Sequence, residues 1–146
     1  MAGYSGTPLP QKLGIKPGHR VLLLGAREGF EAGTLGPLPE NVIVAHEARG
    51  SADVIVAFLT SNAELVRRLP VLRRRMEPAA GLWIAWPKRA SGVATDLTED
   101  VLREVCLPLG WVDTKVCAVT AVWSGLKFVL RKENRPSARA VSAPNA

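Results

Sequence analysis

Four short stretches of this chain carry the residue types that could do chemistry. The first is a loop, Gly25-Ala26-Arg27-Glu28-Gly29, directly after an apolar run. Glycines at such a place leave the backbone bare, so a ligand can reach its N–H groups. The second is His46-Glu47. The third, Pro87–Asp96, carries Lys88, Ser91, Thr95 and Asp96. The fourth, Ala121–Gly125, carries Trp123 and Ser124. Lys88 can hold a phosphate or carboxylate as a point charge; a solvated loop lysine is the plainer alternative. Asp96 can serve as a base, but it opens Asp96-Leu97-Thr98-Glu99, and a helix cap is the stronger reading. Ser91 and Thr95 have no His–Asp arrangement to activate them, which leaves hydrogen bonding. Trp123 can stack on a ring or cover the edge of its own hairpin.

Other chemistries are poorly supported. His19 and His46 stand alone, and Cys106 and Cys117 form no Cys/His pattern, so no metal site is expected. Two cysteines make no disulfide framework, which suits the reducing cytosol. No apolar run approaches the length of a membrane span, and no charged segment followed by an apolar one marks a secretion signal. The formal charge is +6. It reads first as a basic, solvated surface and second as a preference for an anionic partner: a phosphorylated metabolite, an acidic protein or nucleic acid. Arg67, Arg68, Arg73, Arg74 and Arg75 are the densest basic cluster. They flank the apolar stripe of one helix and lack interleaved aromatics, so a wet helix face is favoured over a nucleic-acid surface.

The elements that must position these residues alternate in type. Residues 1–19 read as a Gly- and Pro-rich arm with a helical turn near Gln11–Leu13. Arg20–Gly25, Asn41–Ala45, Ala52–Leu59 and Gly81–Trp86 read as buried strands, Trp83 and Trp86 being core. Only a short helix, Glu28–Leu35, fits among the glycines and prolines of 26–40. Ser61-Asn62-Ala63-Glu64 is a capping box. Leu65, Leu69, Leu72 and Met76 follow as one stripe, with Pro70 set to bend or divide the helix. A second helix begins at Asp96 with Leu97, Val101, Val105 and Leu109 on one face. Val112–Thr120 and Leu126–Arg131 flank a Trp-Ser-Gly turn and predict an antiparallel pair. Glu133–Ala146 has no apolar period and reads as a disordered tail. The expected fold is therefore a single, mainly parallel, three-layer α/β domain over 20–132, Rossmann-like, ending in an antiparallel hairpin.

This order resembles the S-adenosylmethionine-dependent methyltransferase fold, and local words do too. Leu13-Gly14-Ile15-Lys16-Pro17-Gly18-His19-Arg20-Val21-Leu22 looks like the entry to that fold's first strand. Ala52-Asp53-Val54-Ile55-Val56 looks like its fourth strand, and Met76–Ile84 like the approach to its fifth. A closer resemblance is to an uncharacterised bacterial domain-of-unknown-function family. It rests on Gly-Tyr-Ser-Gly-Thr-Pro-Leu at residues 3–9, Trp86-Pro87-Lys88, Ala90–Leu97, Lys115–Val119 and Trp123–Leu126. It implies no activity.

The methyltransferase likeness implies a cofactor at the first loop, where that family has an acidic-hydrophobic-Gly-x-Gly-x-Gly pattern. Here Leu23 takes the acidic position and Arg27 the middle glycine, while Gly25 and Gly29 remain. The carboxylate that would meet a ribose is Glu47, or is absent with His46 in its place. The family's third strand is missing. The link around Glu47–Ser51 is short: seven extended residues span at most about 25 Å. Either it runs over a neighbouring strand, or the two strands it joins are antiparallel.

Ligands of parallel α/β sheets bind beyond the carboxyl ends of the strands. The candidate ligand-binding set is accordingly Gly25, Arg27, Gly29, Glu47, Lys88, Ser91, Thr95, Asp96, Trp123 and Ser124, with Lys88 and the Trp123-Ser124 turn as one wall beside a helix N-terminus. The damaged loop favours a non-catalytic domain that takes a small anion or a protein partner and disfavours S-adenosylmethionine. A minimal methyltransferase and a basic nucleic-acid adaptor are the alternatives.

Overall fold

The computed structural model describes residues 7–135. Its frame is a six-stranded sheet of β1 (Arg20–Leu24), β2 (Ile43–Ala45), β3 (Ala52–Phe58), β4 (Met76–Pro87), β5 (Trp111–Ala118) and β6 (Trp123–Leu130). The spatial order is β2-β1-β3-β4-β6-β5. β1 pairs in parallel with both β2 and β3, and β3 with β4. β6 runs antiparallel to β4 and to β5. The α/β, mainly parallel sheet with a closing hairpin is the expected fold class.

Alternation along β1 divides the core. Leu22 and Leu24 face one cluster; Val21 and Leu23 face the other. The first cluster is covered by α2 (Asn62–Arg75) and α3 (Glu99–Cys106). Leu65, Leu69 and Leu72 of α2 are buried at helical spacing. The second is covered by α1 (Leu9–Leu13), one π-helical turn (Phe30–Leu35) and the hairpin loop residue Val119. Leu13 and Ile15, within the stretch that reads as an arm, are both buried there. Trp83 Nε1 donates to the Leu13 carbonyl at 3.0 Å and fixes α1 to the sheet.

The link from β2 to β3 settles one open question. Both strands run parallel to β1, one on each side, so His46–Ser51 crosses over it. The crossing is held by Arg20, whose Nε donates to the Ser51 carbonyl at 2.9 Å and whose backbone N–H donates to Asp53 Oδ2 at 2.9 Å.

Several expectations need correction. The helix expected over Glu28–Leu35 is a wide turn that begins at Phe30, because Gly29 at φ 82° ends any helical run before it. Of the two outcomes expected at Pro70, a bend or a division, the division does not occur: α2 continues through it to Arg75. β4 begins at Met76, five residues before Gly81, with an irregular register between Ala52 and Val54 of its partner. α3 begins at Glu99 because Thr98, not Asp96, caps it: Thr98 Oγ1 accepts from the Val101 N–H at 3.1 Å. Leu102 and Cys106 are its buried residues, and Leu109 is exposed. Trp123-Ser124-Gly125 is not the hairpin turn. These residues begin β6 and pair with Pro87, Trp86 and Ala85 of β4. Residues 133–135 belong to a docked turn, with Asn134 Nδ2 donating to the Gly110 carbonyl at 3.2 Å. The rest of the expected tail lies outside the described residues. No helix among the described residues is long and apolar enough to cross a membrane.

Candidate functional site

A cleft of about 270 Å³ opens over the carboxyl ends of β1 and β3. Its lining comes from three places: Leu24 at the end of β1 with Gly25 and Arg27 beyond it; Phe58 at the end of β3 with Thr60 beyond it; Glu64 and Arg68 on α2. The loop geometry follows from Gly25. Its φ of 73° lies in the left-handed region, and a Cβ there would meet the Phe58 carbonyl oxygen at 3.0 Å. Only glycine lets the loop cross β3 this closely, and it leaves bare backbone facing the cleft.

Arg27 lines the cleft beside Gly25. Its guanidinium lies 4.8 Å from the centroid of the Trp123 ring, a cation–π contact. Trp123 in turn packs edge-on against Phe58, at 5.2 Å between centroids, and Phe58 against Phe30 at 5.1 Å. Phe58 is thus the one ring of this aromatic ladder that lines the cleft, and Arg27 lies over the Trp123 end of it.

The α2 side is already satisfied. Ser61 Oγ accepts from the Glu64 N–H at 3.1 Å, and Glu64 Oε1 accepts from the Thr60 N–H at 3.4 Å. This capping box turns Glu64 back on its own helix. Asp96 Oδ1 accepts from the Asn62 N–H at 2.7 Å. Asp96 therefore caps a helix, but α2 and not its own. Thr95 Oγ1 donates to the Thr60 carbonyl at 2.6 Å and accepts from the Leu97 N–H at 3.0 Å. Thr95 and Asp96 position the rim without lining the cleft.

The remaining candidates lie elsewhere. Gly29 turns the chain into the π-helical turn. Glu47 is exposed and pairs with Arg49 at 3.6 Å. His46 Nε2 lies 2.7 Å from Glu31 Oε1, so neither His46 nor Glu47 reaches the lining. Ser91 Oγ donates to the Lys88 carbonyl at 2.6 Å and accepts from the Val93 N–H at 3.1 Å, stapling its own loop. Ser124 is half-buried within β6.

The wall expected from Lys88 and Trp123 does not form. Trp123 is 5% exposed and belongs to the core, and Lys88 is not among the lining residues. The helix beyond them is also unsuited to an anion, since Glu99 and Asp100 fill its first turn with negative charge. Sequence reasoning in turn missed Phe58, Thr60, Glu64 and Arg68. The available signal was the i, i+4 spacing of Glu64 and Arg68 on the first turns of α2, just past β3. Among the described residues no group of three or more His, Cys, Asp or Glu could hold a metal ion.

Solved structures share the overall fold. The chain is similar to a SAM-dependent methyltransferase from Aquifex aeolicus, at 19% identity over 83% of this chain and 87% of that one, with a TM-score of 0.58. The chain has the methyltransferase fold. It is also similar to a ribosomal protein L11 methylase from Lactobacillus delbrueckii subsp. bulgaricus, at 13% identity over 84% of this chain and 75% of that one, with a TM-score of 0.56. A third neighbour is Aeropyrum pernix fibrillarin with natively bound S-adenosyl-L-methionine, at 17% identity over 87% and 70%, with a TM-score of 0.53. No protein-family model and no curated protein matches the chain.

Against that fold the site is reduced. The bare backbone at Gly25 lies at the mouth of the cleft between β1 and β3. The volume sits just below the roughly 300–1,000 Å³ of ordinary ligand pockets, and Arg27 fills part of the approach. No carboxylate from the end of β2 reaches the lining.

Proposed function

We propose that this is a minimal methyltransferase-type domain whose cleft takes S-adenosylmethionine or S-adenosylhomocysteine, weakly, with Arg27 displaced from Trp123 on binding. The observation that carries the reading is the bare Gly25 backbone at the mouth of a cleft over β1 and β3, where open α/β sheets hold ligands. The bound cofactor of the fibrillarin neighbour supports the choice of ligand. Bound there, the cofactor would supply a transferable methyl group. Gly25 would lie against it, Phe58 would offer an apolar wall, and the Thr60 hydroxyl a hydrogen bond. We also propose a cytosolic setting and kinship with the bacterial domain family whose motif words the chain resembles.

Calorimetry on the full chain tests this with both adenosyl ligands. Arg27→Gly should bind about tenfold more tightly than the parent, a gain of ~1.4 kcal/mol. Absence of binding to both proteins at millimolar ligand would remove the reading.

A second reading has its own observation. Arg27 and Arg68 line the cleft against one carboxylate, and Glu64 is engaged by its own capping box. Two guanidinium groups suit a small anionic ligand held without catalysis. The same variant separates the two, because Arg27→Gly would then weaken binding of a phosphorylated ligand rather than strengthen that of an adenosyl one. An acidic protein partner or nucleic acid rests on the net charge alone.

A further inference from the structure

A second charged feature lies on the β5–β6 hairpin, outside the cleft lining. Lys115 of β5 and Lys127 of β6 are direct cross-strand partners. Like charges opposite one another destabilise a sheet. Lys127 is also partly buried, although an ammonium is strongly hydrated and costly to cover. Its stem fits a groove made by two glycines. A Cβ at Gly81 would lie 2.6 Å from Lys127 Cε, and one at Gly14 would lie 3.7 Å from Lys127 Nζ. Gly14 ends α1 with φ 83°, and Lys16 follows two residues later. Burial lowers the Lys127 pKa, and the charges of Lys115 and Lys16 lower it further.

We propose that Lys127, Lys115 and Lys16 form a binding site for a phosphate group, seated where the α1–β1 loop meets the β5–β6 hairpin. The Lys127 ammonium lies beside Gly14 in the α1–β1 loop, which also carries Lys16, and across from Lys115, while its stem is held against the bare backbone of Gly81. An anion bearing two or more charges would offset their repulsion and satisfy donors that face one another. A carboxylate monoanion would offset less. The phosphate could belong to a free polyphosphate or to a nucleic-acid backbone, and the site chemistry is the same for both. The site is independent of Arg27 and of the cleft.

The test uses the full chain at matched ionic strength, with melting temperature and calorimetry as readouts. Pyrophosphate should raise the melting temperature in a saturable way. Lys127→Met and, separately, the exposed Lys115→Met should each weaken binding at least tenfold. Without ligand, Lys127→Met should be at least as stable as the parent, because a like-charge contact is gone. A short single-stranded DNA is the second probe. Stabilisation by the oligonucleotide but not by pyrophosphate, lost in the same lysine variants, would keep the site and assign the phosphate to a nucleic-acid backbone. No stabilisation by either probe, or stabilisation undiminished in both lysine variants, would overturn the proposal.

Discussion

Arg27 is the residue on which the cleft turns. At the middle position of a glycine loop it brings a side chain where the fold family keeps backbone bare, yet its guanidinium is stacked on Trp123 and not loose in solvent. That contact was not legible in the sequence, since the two residues are 96 positions apart and meet only through the pairing of β6 with β4. Gly25 was legible, because a glycine directly after a buried strand has few other uses. Cys106 shows the same separation between what a residue is and what its setting makes of it. It is fully buried, and burial pushes its thiol up to about 12 from an ordinary value near 9. The folded thiol therefore keeps its proton between pH 9 and 12 while the unfolded one loses it. The unfolded state binds fewer protons there, so stability must fall as pH rises through that window. Denaturant unfolding at pH 8 and pH 10.5 should show a smaller alkaline loss in Cys106→Ala than in the parent. Equal losses in both would show that Cys106 does not contribute.

At the scale of elements, caps and stripes were read well and boundaries less so. The Ser61 box and the Leu65–Leu69–Leu72 stripe are as the spacing predicts. The start of α3 is displaced because two acceptors compete. Asp96 and Thr98 can each cap a helix, and Asp96 is drawn to the Asn62 N–H of α2, leaving Thr98 for its own. A local pattern cannot express that choice, which depends on where another helix ends. Pro70 is the reverse case: a strong local signal that tertiary packing overrides. With no N–H it cannot donate to Val66, yet Leu69 and Leu72 on either side are buried and hold α2 in one piece. Proline in a helix interior costs about 3 kcal/mol relative to alanine, and Pro70 itself is exposed. Pro70→Ala should therefore raise the urea midpoint, with a gain of roughly 1–3 kcal/mol. An unchanged midpoint would mean that the helix already accommodates the break without cost.

Among the described residues, the two faces of the sheet are unequally covered. One carries helices of 14 and 8 residues. The other carries a five-residue helix, a six-residue π-helical turn and the hairpin loop. At one edge of the sheet β2 is only three residues long. The thinner face is also the one that holds Trp123, Phe58 and Phe30, and of these Phe58 lines the cleft. Elements with few buried contacts open locally at free energies well below global unfolding. Native-state hydrogen exchange should accordingly show Leu9–Leu13 and Phe30–Leu35 exchanging through small openings, while β3 and β4 exchange only with global unfolding. A ligand in the cleft would then add protection first at Gly25–Leu35, because that segment carries both the bare backbone and the ring beneath it. Should the π-helical turn instead exchange as slowly as β3, the thin face would be as rigid as the thick one. Arg27 would then have no compliant element through which to leave Trp123, and weak binding would have to come from the cleft's size alone.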